Sequence, residues 1–330
     1  MRRILLMRST LAAGARVAPR RFLRGPRRPT WTWTYEVLVE AIAARFEGSE
    51  LTLEDRRRRM DELGLRGVRP GRATFDPVDA GGVPAEWVRP PNARTEGVVL
   101  HLHGGGYVMG SPRSHRPPLA ALASQSGFPI LSVEYRLAPE HPCPAAIEDA
   151  VAAYRWLIGP GGVRPSRVVM LGDSAGGGLT LSSALCLRDA GDPLPAGLAL
   201  LSPWLDLTAG SERVRQETGC DYVPKRRLED PALQYAGGLR RDDWRVSPIL
   251  GDLAGLPPLF VIAGGEELLL SDSVRIADRA RDAGVDVELH VQSDEIHVYP
   301  FFLSVSPHSR DGMTRIERFI ERRLAGRVEG

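Results

Sequence analysis

The chain is poor in cysteine, in lysine and in long apolar runs, and each shortage excludes something. Its 330 residues include three cysteines, Cys143, Cys186 and Cys220, and no CxxC pair. That excludes a disulfide scaffold and a cysteine-based zinc site, and it points to a reducing, cytoplasmic compartment. No apolar run approaches the roughly 18 residues that span a membrane. No HExxH or comparable metal spacing occurs. Lys225 is the only lysine among 43 basic residues. The rest are arginine, which reads as coding bias before any recognition role.

What is present describes a globular chain. Hydrophobic residues make up 43% and charged residues 25%, enough apolar material for one large α/β domain. The net charge of +2 hides an asymmetry, because nine arginines and no acid fall within residues 1–28. The remaining body is net acidic, which argues against nucleic acid as a partner. The arm begins MRRILLMRST like an export leader. Arg8 ends its first apolar run after Ile4–Met7 and Arg16 breaks the next, whereas a secretory segment needs roughly 7–15 apolar residues. The expectation is no export. The arm reads as a partly frayed extension or a solvated helix face, with at most a weak contact to an anionic lipid surface.

Leu38, Ala41, Ile42 and Phe46 recur at helical spacing, and Thr52 with Asp55 resembles a capping box opening a helix through Leu63. Arg56 to Arg59 read as its solvated face. From about residue 72 strands and helices alternate. Apolar strands are expected at Val98–Leu102, Ile130–Val133, Val168–Leu171, Leu198–Leu201, Leu259–Ala263 and Val285–Val291. Helical patterns at Ala145–Leu157 and Asp272–Ala283 lie between them. Such alternation implies a mostly parallel sheet covered on both faces. The stretch from Trp204 to Asp243 has no strong strand and is too long for a bare loop, so helices are expected in it. The resulting division is 1–70, arm and cap helices; 71–203 and 244–330, two parts of an α/β core; and 204–243, a cap insertion.

Three signals carry chemistry. The first is Gly172-Asp173-Ser174-Ala175-Gly176, directly after a strand and directly before a helix. Glycines two residues on either side allow a sharp turn that lifts Ser174 over the sheet edge, at the positive end of a helix. The second is His103-Gly104-Gly105-Gly106-Tyr107 at another strand end. Its glycine N–H groups, with that of Ala175, can meet a developing oxyanion. A dinucleotide turn is excluded, since Met109 stands where the third glycine of G-x-G-x-x-G belongs. The third is chain order. A partner acid and then a histidine follow the serine. His297 lies just past the last strand, and the loop after Leu259–Ala263 offers Glu266 and Glu267. A histidine takes and returns the serine proton, and a carboxylate fixes its tautomer. Among the other histidines, His101 reads as packing and His103 as support for the glycine loop. His115, His141, His290 and His308 show no partner pattern.

These residues resemble the hormone-sensitive lipase family of α/β-hydrolases, in its bacterial esterase branch. The resemblance covers roughly residues 70–325. It rests on HGGGYVMGS at 103–111, VEYRLAPEHPCPAAIEDAVAAYRWL at 133–157, GDSAGGG at 172–178, LSPWLDLT at 201–208 and VSPILGDLAGLPP at 246–258. It implies an α/β-hydrolase fold with a helical cap and a carboxylic-ester hydrolase without metal or organic cofactor. It implies Ser174 as nucleophile and His297 as general base. The amides of Gly105, Gly106 and Ala175 would form the oxyanion hole, with Gly104 shaping the loop. The family carries an aspartate with a leucine two residues on. Leu269 puts Glu267 in that place, ahead of Glu266 and of Asp272, which reads as opening the next helix. Arg136 and Glu140 are expected to pair within the Tyr135–Glu140 turn, and Asp173 to orient the nucleophile turn.

The reaction implied is acyl transfer to water on short-to-medium-chain esters. Trp31, Trp33, Tyr35, Tyr107, Trp204 and Tyr222 are candidates for an apolar pocket, with Tyr107, Trp204 and Tyr222 preferred as substrate-binding residues. Lactones, acetylated compounds and amides use the same machinery. A ligand-binding module without turnover is the reading from a different class. A homodimer through an edge strand is implied by the family alone.

Overall fold

Short runs of Val, Leu and Ile without polar alternation make strands buried on both faces. The computed structural model describes residues 2–47, 51–66, 72–208, 220–223, 228–303 and 305–325. The six expected strands are β3 (Val98–Leu102), β4 (Ile130–Val133), β5 (Val168–Asp173), β6 (Gly197–Leu201), β7 (Leu259–Gly264) and β8 (Val287–Gln292). Two more precede them, β1 (Thr74–Asp79) and β2 (Pro84–Arg89). This hairpin was not expected. β1 is an edge strand with a mostly exposed face, and Pro77 sits within it, where a missing N–H is tolerated.

The eight strands form one sheet in the order β1-β2-β4-β3-β5-β6-β7-β8. β1, β2 and β4 pair antiparallel, and every other neighbouring pair is parallel. Successive side chains serve opposite faces. Val99, Leu171 and Ile262 pack with Leu119 and Leu122 of α4 (Pro112–Ser126) and with Phe319 and Ile320 of α9 (Ser309–Leu324). Leu100, Met170 and Val261 pack on the other face with α5 (Ala145–Ile158), α6 (Ala175–Asp189) and α8 (Leu270–Asp282).

The N-terminal region folds as α1 (Arg2–Arg24), α2 (Trp33–Glu47) and α3 (Leu53–Arg66). α1 is a docked helix rather than a frayed arm. Ala13 and Val17 pack on Val37 and Ala41 of α2. Arg16 and Arg27 pair with Glu40, and Arg20 and Arg21 with Glu36. Its other face leaves Leu11, Phe22 and Leu23 exposed. Thr52 caps α3 as expected, its Oγ1 accepting from the Asp55 N–H at 3.1 Å.

The reading of Arg56 to Arg59 as one solvated face is corrected. Arg57 donates to the carbonyls of Val108 and Ala138 and to both carboxylate oxygens of Glu140. Glu140 therefore pairs with Arg57 and not with Arg136, whose partners are Glu148 and Asp149. Within the expected cap insertion, α7 (Glu229–Ala236) is helical. Residues 209–219 and 224–227 lie outside the described residues. Among the described residues no helix is long and apolar enough to cross a membrane.

Candidate active site

The carboxyl ends of β3, β5, β6 and β7 converge on one edge of the sheet, where ligands of open α/β sheets lie. β5 turns into α6 at Ser174, which sits at φ 55°. The turn is closed by contact as much as by dihedral. A Cβ on Gly172 would lie 2.1 Å from the Gly176 carbonyl oxygen, and one on Gly176 would lie 2.0 Å from that of Leu102. Either clash would push the elbow apart. The Ser174 N–H donates to the Leu201 carbonyl at 2.8 Å, and its own carbonyl accepts from Trp204 at 2.9 Å. A positive φ at a non-glycine residue marks stored strain.

Beside the elbow lies the loop after β3. Gly105 has φ 129°, and its carbonyl accepts the Met109 N–H at 3.1 Å. The Gly104 N–H points inward to Asp173 Oδ1 at 3.1 Å. The same carboxylate faces His101 Nε2 and His115 Nε2, each at 3.4 Å. Burial opposes a charge on Asp173, yet the two imidazoles outweigh it and hold the carboxyl well below its usual range. Burial likewise opposes a charge on His115, and Asp173 outweighs it, so His115 is pushed up. His101 is pushed down by burial, and His103 to about 3. His103 Nδ1 bonds the Gly104 carbonyl at 3.0 Å, supporting the loop. His115 and His308 do have partners, Asp173 and Glu295, which local sequence had not suggested.

Glu267 follows β7 and is buried. Its Oε2 accepts from Ser202 Oγ at 2.6 Å and from the Gly264 N–H at 3.0 Å. His297 Nδ1 lies 3.9 Å from Oε2, too far for a hydrogen bond. Glu267 Oε1 and His297 Nδ1 are both buried without a partner. Burial pushes Glu267 up to about 8 and His297 down to about 4. At neutral pH an uncharged acid thus faces an uncharged imidazole. Two adjacent orphaned polar atoms are costly. Catalytic hydrogen bonds often tighten only when substrate binds.

The two alternative acids are placed elsewhere. Glu266 is held by both arms of Arg28, at 2.6 and 2.5 Å. Asp272 lies in the first turn of α8, and its carboxylate accepts from Leu205 N at 2.8 Å and Asp206 N at 2.9 Å.

Several positioning groups were not visible in the sequence. Ser202, at φ 46°, also accepts the Val298 N–H at 2.9 Å, so one hydroxyl joins the end of β6 to both the acid and the histidine loop. Asp221 accepts from Leu268 N at 3.2 Å and His297 N at 3.3 Å, tying the same two loops together. Burial pushes it up to about 7. The segment before α2 and the first turn of α2 grip both loops from outside. Arg28 holds Glu266, the Trp31 indole donates to the Asp294 carbonyl, and the Tyr35 hydroxyl donates to Glu295 at 2.5 Å. The only signal for these partners was the LSPWLDLT string around Ser202.

Ser174, His297, Asp173, Gly104, Gly105 and Gly106 line one cleft of about 510 Å³. Its remaining wall is mostly apolar. It includes Leu53 and Met60 of α3, Pro231 of α7, and Val108, Phe301 and Phe302. Trp204 and Tyr222 line it as well. Tyr107 does not. Its ring is buried in the core, stacked on Tyr235 at 3.6 Å between centroids. Trp31 and Tyr35 clamp loops, and Trp33 is exposed. Among the described residues no group of three or more His, Cys, Asp or Glu side chains could hold a metal ion.

The chain is similar to known proteins. Residues 99–301 match the model of a family described as having the alpha/beta hydrolase fold. An acetyl-hydrolase of Streptomyces hygroscopicus is 40% identical over 284 residues, covering 83% of this chain and 92% of the relative. A carboxylesterase/phospholipase of Mycobacterium tuberculosis is 33% identical over 271 residues, covering 78% of this chain and 72% of the relative. The crystal structure of an esterase from the bacterial hormone-sensitive lipase family superposes with a TM-score of 0.85 at 40% identity, over 89% of this chain and 99% of that one.

Proposed function

The chain belongs to the hormone-sensitive lipase family of α/β hydrolases and is a carboxylic-ester hydrolase, and from that premise we propose that it works through Ser174, His297 and Glu267. His297 takes the Ser174 proton as the hydroxyl attacks the ester carbonyl. The alcohol leaves with that proton, and an acyl-enzyme forms. Water, deprotonated by His297, then releases the acid. Glu267 orients Nδ1 of the imidazole and, once ionised, stabilises the imidazolium. The Gly104 N–H is taken up by Asp173, which leaves Gly105, Gly106 and Ala175 as the oxyanion donors.

The observation that carries the reading is the strained elbow of Ser174, opening into the same cleft as His297, with the buried Glu267 behind it. The largely apolar wall and modest volume support short-to-medium acyl chains. The name of the Streptomyces relative favours acetyl esters within that range. The test is hydrolysis of a chain-length series of chromogenic acyl esters by wild type and Ser174→Ala, with a matched ester and amide pair. Turnover lost by a factor of about 10³ or more in the variant supports the triad. Equal activity of the variant would overturn it, and a preference for the amide would make the enzyme an amidase.

A further inference from the structure

Resting on that ester-hydrolase reading, we propose that the substrate is an ester bearing a negatively charged group, and that Arg56 of α3 binds the charge.

The contrast with the next residue is the starting point. Arg57 satisfies its guanidinium on two backbone carbonyls and on Glu140. Arg56 lines the catalytic cleft, and its Nε is buried with no hydrogen-bond partner. Among the described residues it forms no ion pair, and it is the one arginine or lysine in the cleft wall. A guanidinium keeps its charge, so this is a permanent cation whose Nε meets no protein acceptor. A buried donor without an acceptor is unfavourable until something supplies one. Trp204 Nε1, also buried, also lacks an acceptor and lines the same cleft. The planar fork of Nε and Nη matches a carboxylate or phosphate in two parallel bonds.

The cleft's own anions do not fill this role. Asp173 is committed to His101, His115 and the Gly104 N–H. Asp230, at the exposed start of α7, lines the cleft but forms no ion pair with Arg56. It would oppose an incoming anion, so it supplies a second, independent handle.

The experiment uses two matched pairs at pH 7.5. One places the charge on the alcohol side, para-acetoxybenzoate against para-acetoxybenzamide. The other places it on the acyl side, the para-nitrophenyl monoester of adipate against its terminal amide. At least one pair is expected to favour the anion in kcat/KM by about tenfold or more, mainly through KM. Arg56→Gln is expected to collapse that ratio, Arg56→Lys to restore part of it, and 0.5 M salt to weaken it. Asp230→Asn, which leaves α3 untouched, is expected to raise the ratio. Neutral esters turned over as well as anionic ones in both pairs, or an unchanged ratio in folded Arg56→Gln, would overturn the proposal. Failure of wild type on all four esters would instead bring down the ester-hydrolase reading, and this proposal with it.

Discussion

Glu267→Gln is expected to abolish activity while making the folded protein steadily more stable than wild type as pH rises. A carboxyl that ordinarily titrates at 4.5 is held by burial to about 8. Between those two pH values the unfolded chain gives up the proton and the folded chain keeps it. Stability is therefore lost with rising pH across that window, and the loss is complete above pH 8. At about 1.36 kcal/mol per pH unit, the total is roughly 4–5 kcal/mol. Glutamine has the same shape and no such slope. Its carbonyl can take the place of Oε2, accepting from Ser202 Oγ and Gly264 N, and its amide can point at the unpartnered Nδ1 of His297. The assay is thermal unfolding of both proteins from pH 5 to pH 9. For a chain this long about 1 kcal/mol moves Tm by roughly 2 °C. The difference between variant and wild type should widen by about 8 °C across the range, while ester hydrolysis falls by about 10³–10⁴. Parallel curves would refute the reasoning, because they would mean that Glu267 keeps an ordinary carboxyl in the folded state.

Other substitutions separate the parts of the site. Ser202→Ala removes a hydrogen bond that lowers the Glu267 pKa; the alkaline-going limb of the kcat/KM profile should move to higher pH by about one unit, with activity at pH 7 down about tenfold. Arg28→Ala removes the brace on Glu266 outside the cleft; a drop in kcat of about two- to fivefold with KM unchanged is expected, and steady-state kinetics decide it. Gly176→Ala puts a Cβ 2.0 Å from the Leu102 carbonyl oxygen; denaturant unfolding should show a loss of about 3 kcal/mol or more, or no soluble folded protein.

The parts of this molecule that could be read from its sequence are those whose causes are local. The strands β3 to β7 carry largely apolar runs, broken only by His101 in β3, Ser132 in β4 and Asp173 at the end of β5, because both their faces are covered. The Ser174 elbow announces itself through glycines two residues away, and the cap of α3 through a threonine three residues before Asp55. The hairpin of β1 and β2 escaped notice because an edge strand with Pro77 and two aspartates lacks a clear alternation. Tyr107 was misplaced because residue type does not say which side of a loop a ring takes. The roles of Ser202, Asp221 and Arg28 depend on partners 65, 76 and 238 residues away, a separation that no pattern along the chain encodes. Arg56 and Arg57 are neighbours in one arginine run, and only packing assigns one to the scaffold and the other to the cleft.

The grip of the α2 segment on the acid and histidine loops also sets an order in time. Arg28, Thr30 and Tyr35 leave the ribosome early, and their partners Glu266, Asp294 and Glu295 follow 238, 264 and 260 residues later. During synthesis the first helices wait without the surface they were shaped for. The nucleophile elbow can form as soon as β3, β5 and α6 have met, but the loops behind the imidazole are braced only when the two ends of the chain come together. On the proposed triad, a growing polypeptide therefore carries an unarmed serine, and hydrolytic competence arrives only when these distant ends of the chain meet.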